Sequence, residues 1–187
     1  MVFCLDEKPA IHALERRFPS LPMPTGRIER REHEYIRQGT VHWLVGLRLS
    51  DGRTWGRPFD RKRSVRFADS LERLAHRYRQ ATKLHVIVDN DSTHGGQPVE
   101  AVVRASRGRL ALHYTPVHAS WPNQAEILLS ILSRKYLRDG SWPSRDALVR
   151  HLRQAVPEYH RFHAAPINWS FTRNAMHDWN DRYCSRN

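Results

Sequence analysis

Hydrophobic and polar positions alternate in two distinct periods along this chain, and the switch between them divides it into elements. Val2-Phe3-Cys4-Leu5 is a short apolar run that ends at Asp6-Glu7, as a buried strand does. Ala10 to Leu14 reads as a second extended piece. Residues 19–40 hold Pro19, Pro22, Pro24, Gly26, Arg27, Arg30 and Arg31, and their composition predicts a long irregular connection. Trp43 to Leu49 and Arg53 to Phe59 flank Ser50-Asp51-Gly52, the signature of a β-hairpin. From Ser64, read as a cap, Phe67, Ala68, Leu71, Leu74, Ala75 and Tyr78 recur at the helical period up to about Arg79.

Leu84-His85-Val86-Ile87-Val88 is dense in β-branched residues and leads into Asp89, which predicts a central strand. A short helix over 99–104 follows, then a strand over Leu110 to Tyr114. Residues 126–133 form a helix with apolar flanks, Ile127, Leu128 and Ile131 on one side and Leu129 and Leu132 on the other. A narrow polar stripe of Glu126, Ser130 and Ser133 separates them, and Pro122 suits the preceding first turn. Such a helix is expected to be largely buried, so its carboxylate must face a cleft, a cation or a partner. Ser144 caps a further helix to about Val156, with Leu148, Leu152 and Val156 inward, and a last short helix is expected over 173–183. The element order is α/β: antiparallel strands first, then βαβ units with right-handed crossovers.

Composition narrows the class. The 187 residues contain 40% hydrophobic positions and six Trp, enough for a folded core and against a disordered chain. No apolar run reaches membrane-spanning length, and the N-terminus is too short and charged for a secretory signal. Cys4 and Cys184 are the only cysteines and form no Cys-x-x-Cys pair, which argues against a structural zinc site or disulfide framework. The twelve His show no His-x₃-His spacing. A cytoplasmic protein with free thiols is expected. Lys and Arg number 31 against 19 Asp and Glu, a formal charge of +12, and an excess this large favours a polyanionic partner such as nucleic acid.

Asp6 and Asp89 both follow predicted strands, at the sheet edge where open α/β folds bind ligands. Two carboxylates at close range repel unless a proton or cation intervenes, and a hard divalent ion suits an all-oxygen site. The segment after Asp89 is long enough to return Glu126 over the same edge. Strand-end Asp residues are also common turn-formers, and spacing alone leaves both readings open.

Four blocks go further. Phe3-Cys4-Leu5-Asp6-Glu7-Lys8, His33-Glu34-Tyr35-Ile36-Arg37-Gln38-Gly39-Thr40, Val86-Ile87-Val88-Asp89-Asn90-Asp91-Ser92-Thr93-His94 and the stretch from Thr115 through Glu126 to Lys135 resemble the catalytic domain of DDE transposases. The bacterial insertion-sequence branch of the mariner superfamily is the nearest likeness, and it covers roughly residues 2–172. The resemblance implies an RNase H-like fold with a mixed five-stranded sheet flanked by helices, the first three strands antiparallel and the rest parallel. It also implies metal-dependent DNA strand cleavage and transfer with two Mg²⁺ (or Mn²⁺) ions. On it the catalytic and metal-binding carboxylates are Asp6, Asp89 and Glu126, supported by Asn90, His94 and Asn123. Asp91, close by, falls outside the pattern.

The expected partners are double-stranded DNA, both transposon ends and target, and further copies of the chain on that DNA. No membrane and no small-molecule cofactor are expected, and the location is the bacterial cytoplasm, associated with the nucleoid. Arg61, Lys62 and Arg63, and Arg134, Lys135 and Arg138, are candidate DNA contacts, with a solvated charge run as the alternative. Arg27, Arg30 and Arg31 could also grip DNA, and Trp121 could stack on a base or pack beside the helix. Residues 1–140 are expected to form the core and 141–187 a helical extension packed on it. Family members carry a helix-turn-helix region before the first strand. Here that strand follows Met1 directly, so a truncated or inactive DNA-binding copy is the alternative function, and another RNase H-like nuclease a third.

Overall fold

The computed structural model describes residues 1–18, 34–116 and 123–167. The readings made for Arg27, Arg30, Arg31, Trp121, Pro122, Cys184 and the helix over 173–183 lie outside these residues. Five strands, β1 (Val2–Arg16), β2 (Tyr35–Arg48), β3 (Thr54–Phe59), β4 (Leu84–Val88) and β5 (Leu110–Tyr114), form one sheet in the order β3-β2-β1-β4-β5. β1–β2 and β2–β3 are antiparallel, whereas β1–β4 and β4–β5 are parallel. This is the mixed sheet expected from the sequence.

Among the described residues four α-helices complete the layers: α1 (Ser64–Arg77), α2 (Gln97–Ala105), α3 (Ala125–Leu132) and α4 (Arg145–Phe162). Alternation along each strand sends side chains to opposite faces. Phe3, Leu5, Leu84, Val86 and Val88 point to one face, where they pack with Phe67, Leu71 and Leu74 of α1 and Val99 of α2. Val41, Trp43, Val45 and Leu47 point to the other, against Leu128 and Leu132 of α3 and Leu148, Leu152 and Tyr159 of α4. The sheet is thus covered by two helices on each face, with a separate apolar cluster in each layer.

Several local expectations change. β1 is a single long strand rather than two pieces, with register shifts between Lys8 and Ile11 and between His12 and Leu14. Ala10 absorbs the first shift with φ of 51°. Residues 35–40 are strand rather than loop, because Tyr35, Ile36 and Arg37 pair with Arg16, Glu15 and Leu14. Ser64 is the first helical residue rather than the cap. The amides of Arg66 and Phe67 close the turn on the Arg63 carbonyl, and Arg63 has extended dihedrals.

Ser144 does cap α4, its hydroxyl accepting from the Ala147 amide at 3.1 Å. That helix continues through Pro157 to Phe162, with Tyr159 anchored in the core and His160 bonded to Thr54 at the start of β3. Ala155 and Tyr159, rather than Val156, take the inward positions. The hairpin between β2 and β3 needs Gly52, whose φ is +69° and whose added Cβ would stand 2.0 Å from the Ala165 carbonyl oxygen.

α3 departs most from its predicted burial. Ile127 is 56% exposed, so the helix is not buried on both flanks. It meets β1 and β2 through Leu128, Leu129 and Leu132, and this one-sided packing leaves its polar stripe open. The chain then widens into a π-helical turn over Ser133–Leu137, which buries Tyr136. No helix among the described residues is long and apolar enough to cross a membrane.

Leu132 is fully buried between α3 and the sheet. Leu132→Ala is expected to lower unfolding stability by about 2–5 kcal/mol through lost transfer energy and the cavity left behind, measured by urea denaturation.

Candidate active site

The parallel register places the first two acidic candidates. Cys4 of β1 stands opposite Ile87 of β4. Continuing the same offset two residues further brings Asp6 level with Asp89, on adjacent strands roughly 4.8 Å apart. Asp6 shares the pleat face of Cys4, and Asp89 that of His85 and Ile87. Both therefore sit on the α3 side of the sheet, opposite the face filled by Phe3, Leu5, Val86 and Val88. α3 carries Glu126 to the same place. Asp6, Lys8, Glu126, Ser130, Ser133 and Arg134 line a groove of about 540 Å³. The polar stripe predicted on this helix is the wall of that groove.

Asn123 ties α3 to the strand that carries Asp6. It is 1% exposed, its Nδ2 donates to the Leu5 carbonyl at 2.8 Å, and its Oδ1 accepts from the Ala125 amide at 3.2 Å. One side chain thus closes the first turn of α3 and holds it on the residue before Asp6. Asn90 fastens the other side, donating to the Thr115 carbonyl at 2.5 Å.

The two aspartates have different electrostatic environments. Burial pushes the Asp6 carboxyl up to about 6, against the Glu7 amide, which donates to Oδ1 at 2.7 Å. The negative charges of Asp89 and Glu126 add to the rise. Asp89 has the opposite environment: a hydrogen bond with His94, 2.5 Å between Nδ1 and Oδ1, holds it below the ordinary carboxylate range. Burial alone would lower His94, but Asp89 and then Glu7 lift it to about 9, so it is an imidazolium at neutral pH. His94 is 1% exposed and packs against the Phe67 ring.

Sequence reasoning missed the next layer. Glu7 follows Asp6 and so points to the opposite face, where its side chain is 2% exposed. Its carboxylate lies 3.8 Å from His94 Nε2 and 3.7 Å from Lys62 Nζ, with no direct hydrogen bond. Lys62 also binds Asp91 at 2.6 Å, and Asp91 caps the turn of Ser92–His94 by accepting from the Thr93 amide and hydroxyl. Lys62, whose side chain is 28% exposed, is thus paired with carboxylates of the fold. Asp91, too, is committed within the fold, while Asp89 is held by His94. The sign that could have flagged Glu7 was its place one residue out of phase with Asp6 on a buried strand.

Arg61 and Arg63 are exposed at the same end of the sheet. Arg134 lines the groove, Lys135 is exposed beside it, and Arg138 pairs loosely with Asp139 at 3.6 Å. His85 and His113, on neighbouring strands, approach to 2.9 Å between ring nitrogens.

Asp6, Asp89 and Glu126 offer oxygen donors only, the chemistry that hard divalent ions prefer. The mutual repulsion that raises Asp6 is what a cation there would relieve. Among the described residues no three His, Cys, Asp or Glu side chains stand at common ligating distance; Asp6 and Glu126 line the groove, and Asp89 is level with Asp6 on the next strand.

The chain belongs to the DDE superfamily endonucleases: that family's model matches residues 1–149. No curated protein matches the chain significantly. Among solved structures it is similar to a Mos1 transposase paired-end complex with left transposon end, at 12% identity and a TM-score of 0.64, covering 98% of this chain and 55% of that one. A Mos1 mariner paired-end complex with Mn matches at 13% identity and a TM-score of 0.57, over 84% of this chain and 48% of that one. The shared architecture is the RNase H-like fold. The chain spans about half the length of these structures.

Two outcomes follow from this geometry. A carboxyl whose folded value is raised from 3.8 to about 6 destabilises the fold once ionised: its contribution is full below about pH 4 and is lost as pH rises through about 6. Without divalent ions, Asp6→Asn is expected to stabilise the protein by on the order of 2 kcal/mol at pH 7.5 and to give no gain near pH 4, read from paired thermal melts. Asn123→Ala leaves the Leu5 carbonyl unpaired in the interior and is expected to cost about 1–3 kcal/mol in chemical denaturation.

Proposed function

We propose that the chain cleaves and transfers DNA strands by phosphoryl transfer, with Asp6, Asp89 and Glu126 as its catalytic carboxylates. The observation that supports this reading is that Asp6 and Asp89 are level on adjacent strands, with Glu126 of α3 lining the same groove as Asp6. Family membership gives the endonuclease class. The same three residues would hold Mg²⁺ or Mn²⁺, two ions in all. Such a pair supplies Lewis-acid stabilisation of the attacking and leaving oxygens of an in-line displacement.

The protein's own part is positioning and fixed charge. His94 orients Asp89 through Oδ1, leaving its other oxygen for the groove. Asn123 sets the distance between the strand bearing Asp6 and the helix bearing Glu126. A water oxygen attacks the phosphorus, and the bond to the 3′ oxygen breaks to leave a 3′-OH and a 5′-phosphate. That 3′-OH then attacks a target phosphodiester, forming one new P–O bond and releasing another 3′-OH. Arg134 in the groove wall, with Arg61, Arg63, Lys135 and Arg138 around it, would contact the backbone phosphates. The Mos1 structures are of paired-end complexes, and the same assembly, several copies on double-stranded transposon ends in a bacterial cell, belongs to this proposal. So do the assignment to the insertion-sequence branch and the division at residue 140.

The test is plasmid nicking with Mg²⁺ supplied and removed. Wild type is expected to convert supercoiled plasmid to open circles only with the ion, and Glu126→Gln to lower the rate at least a hundredfold while binding DNA unchanged. Equal nicking by both proteins would overturn the assignment. Binding without nicking by wild type would leave only a DNA-binding protein.

A further inference from the structure

A second basic feature lies outside the candidate groove, along the free edge of the sheet. β3 is the outermost strand, and α4 runs beside it. Two depressions lie between them. Pro58, Phe59, Arg145, Val149, Arg150 and Arg153 line the first, of about 360 Å³, with Asp146 at its rim. The second, of about 320 Å³, is lined by Trp55, Gly56, Arg77, Arg153, Val156 and His160 among others. Arg153 borders both, so the two adjoin along the α4–β3 seam, called the channel below.

The helix phase explains the channel. Leu148, Leu152, Ala155 and Tyr159 turn α4 into the core, which leaves Arg145, Val149, Arg153, Val156 and His160 on the stripe toward β3. Close approach is possible because β3 has a glycine at position 56, where an added Cβ would meet Val156 at 2.8 Å. The far end is closed by His160, whose ring lies 2.9 Å from the Thr54 amide and 2.6 Å from its carbonyl.

The charge in this channel is nearly all of one sign. Arg145 donates to the Thr40 carbonyl and stands 4.0 Å from Asp146, whose side chain is 81% exposed. Arg77, Arg150 and Arg153 form no ion pair among the described residues, and Arg150 and Arg153 are exposed. Four guanidinium groups and an imidazole thus face one carboxylate over about 20 Å of strand and helix. Unpaired arginines collected along a channel with an apolar floor suit a regular row of phosphates, since the planar fork binds phosphate oxygens directly.

The channel is also in line with the carboxylate site. Pro58 pairs with Trp43, and Trp43 with Lys8, so Pro58 and Lys8 lie on one row across three strands, about 10 Å apart. Lys8 borders the groove of Asp6 and Glu126. A strand advancing 3.4 Å per nucleotide covers that span in about three nucleotides.

We propose that the channel between α4 and β3 binds the sugar–phosphate backbone of duplex DNA flanking the carboxylate groove, with Arg150 and Arg153 as its principal contacts. The proposal rests on the reading that the chain acts on DNA, but its test needs no cleavage. Fluorescence anisotropy with a labelled duplex of arbitrary sequence, without divalent ions and in a Glu126→Gln background, gives affinity and its salt dependence. Arg150→Ala with Arg153→Ala is expected to weaken binding about tenfold at low salt and to reduce the slope of log affinity against log salt by about two. Removing the same charge at Arg104 and Arg107, by the opposite sheet edge, is expected to change affinity less than twofold.

Arg153→Lys, which keeps the charge on an exposed site, is expected to retain most of the affinity. Unchanged affinity and slope in the channel variant would overturn the proposal, as would equal losses from both pairs. If the channel variant loses binding while wild type never nicks plasmid, the channel stands and the catalytic reading falls. If wild type nicks and the channel variant binds normally, the reverse holds.

Discussion

The parallel pairing of β1 with β4 ends at Cys4 and Ile87, and the arrangement of the carboxylates depends on where it ends. Its register makes Asp6 and Asp89 level, and the pleat turns both toward α3. A shift of one residue in either strand would send one carboxylate to the face packed by Phe3, Leu5, Val86 and Val88. The apolar residues of that face fix the register, so the fold's own core enforces the crowding of charge at its edge. Folding brings together groups that repel, and burial with that repulsion leaves Asp6 holding its proton up to about pH 6.

The structure offsets the crowding unevenly. Asp89 has a buried imidazolium partner, whereas Asp6 has only the backbone amide of Glu7. Behind them Glu7, His94, Lys62 and Asp91 alternate in sign through the inner face. A buried charge without compensation is costly, and here each anion has a cation within 4 Å. The arrangement holds the Asp89 carboxyl below the ordinary carboxylate range while Asp6 keeps its proton up to about pH 6.

Legibility in the sequence followed the length scale of the information. β4 and β5 were read to the residue because their apolar runs are dense and bounded by turn residues. The position of Asp89 just after β4 and the polar stripe of Glu126 are legible for the same reason, whereas Asp6, expected at a strand end, lies inside β1 because that strand runs on to Arg16. The two-part reading of β1 failed because Pro9 and Ala10 interrupt its pattern, while the pairing that restores it comes from β2, whose first residues looked like loop. The burial of α3 was overestimated because periodicity shows which residues share a side, not whether anything covers it. Among the described residues Ile127 is left 56% exposed.

Ion-pair assignment was the least legible layer. Lys62 sits in a run with Arg61 and Arg63, and composition gives all three the same surface role. Their separation arises from the backbone: Lys62 turns inward to Glu7 and Asp91, leaving its neighbours exposed. Conversely Arg145, Arg150 and Arg153 are scattered in sequence among apolar residues and resemble ordinary helix charges. Only the packing of α4 against the edge of β3 lines them up with Arg77, at the end of α1 and far from α4 in the chain. Charge runs in sequence and charged channels in space are thus different objects. The first reflects local composition, and the second appears where helix phase and strand register bring distant cations onto one surface.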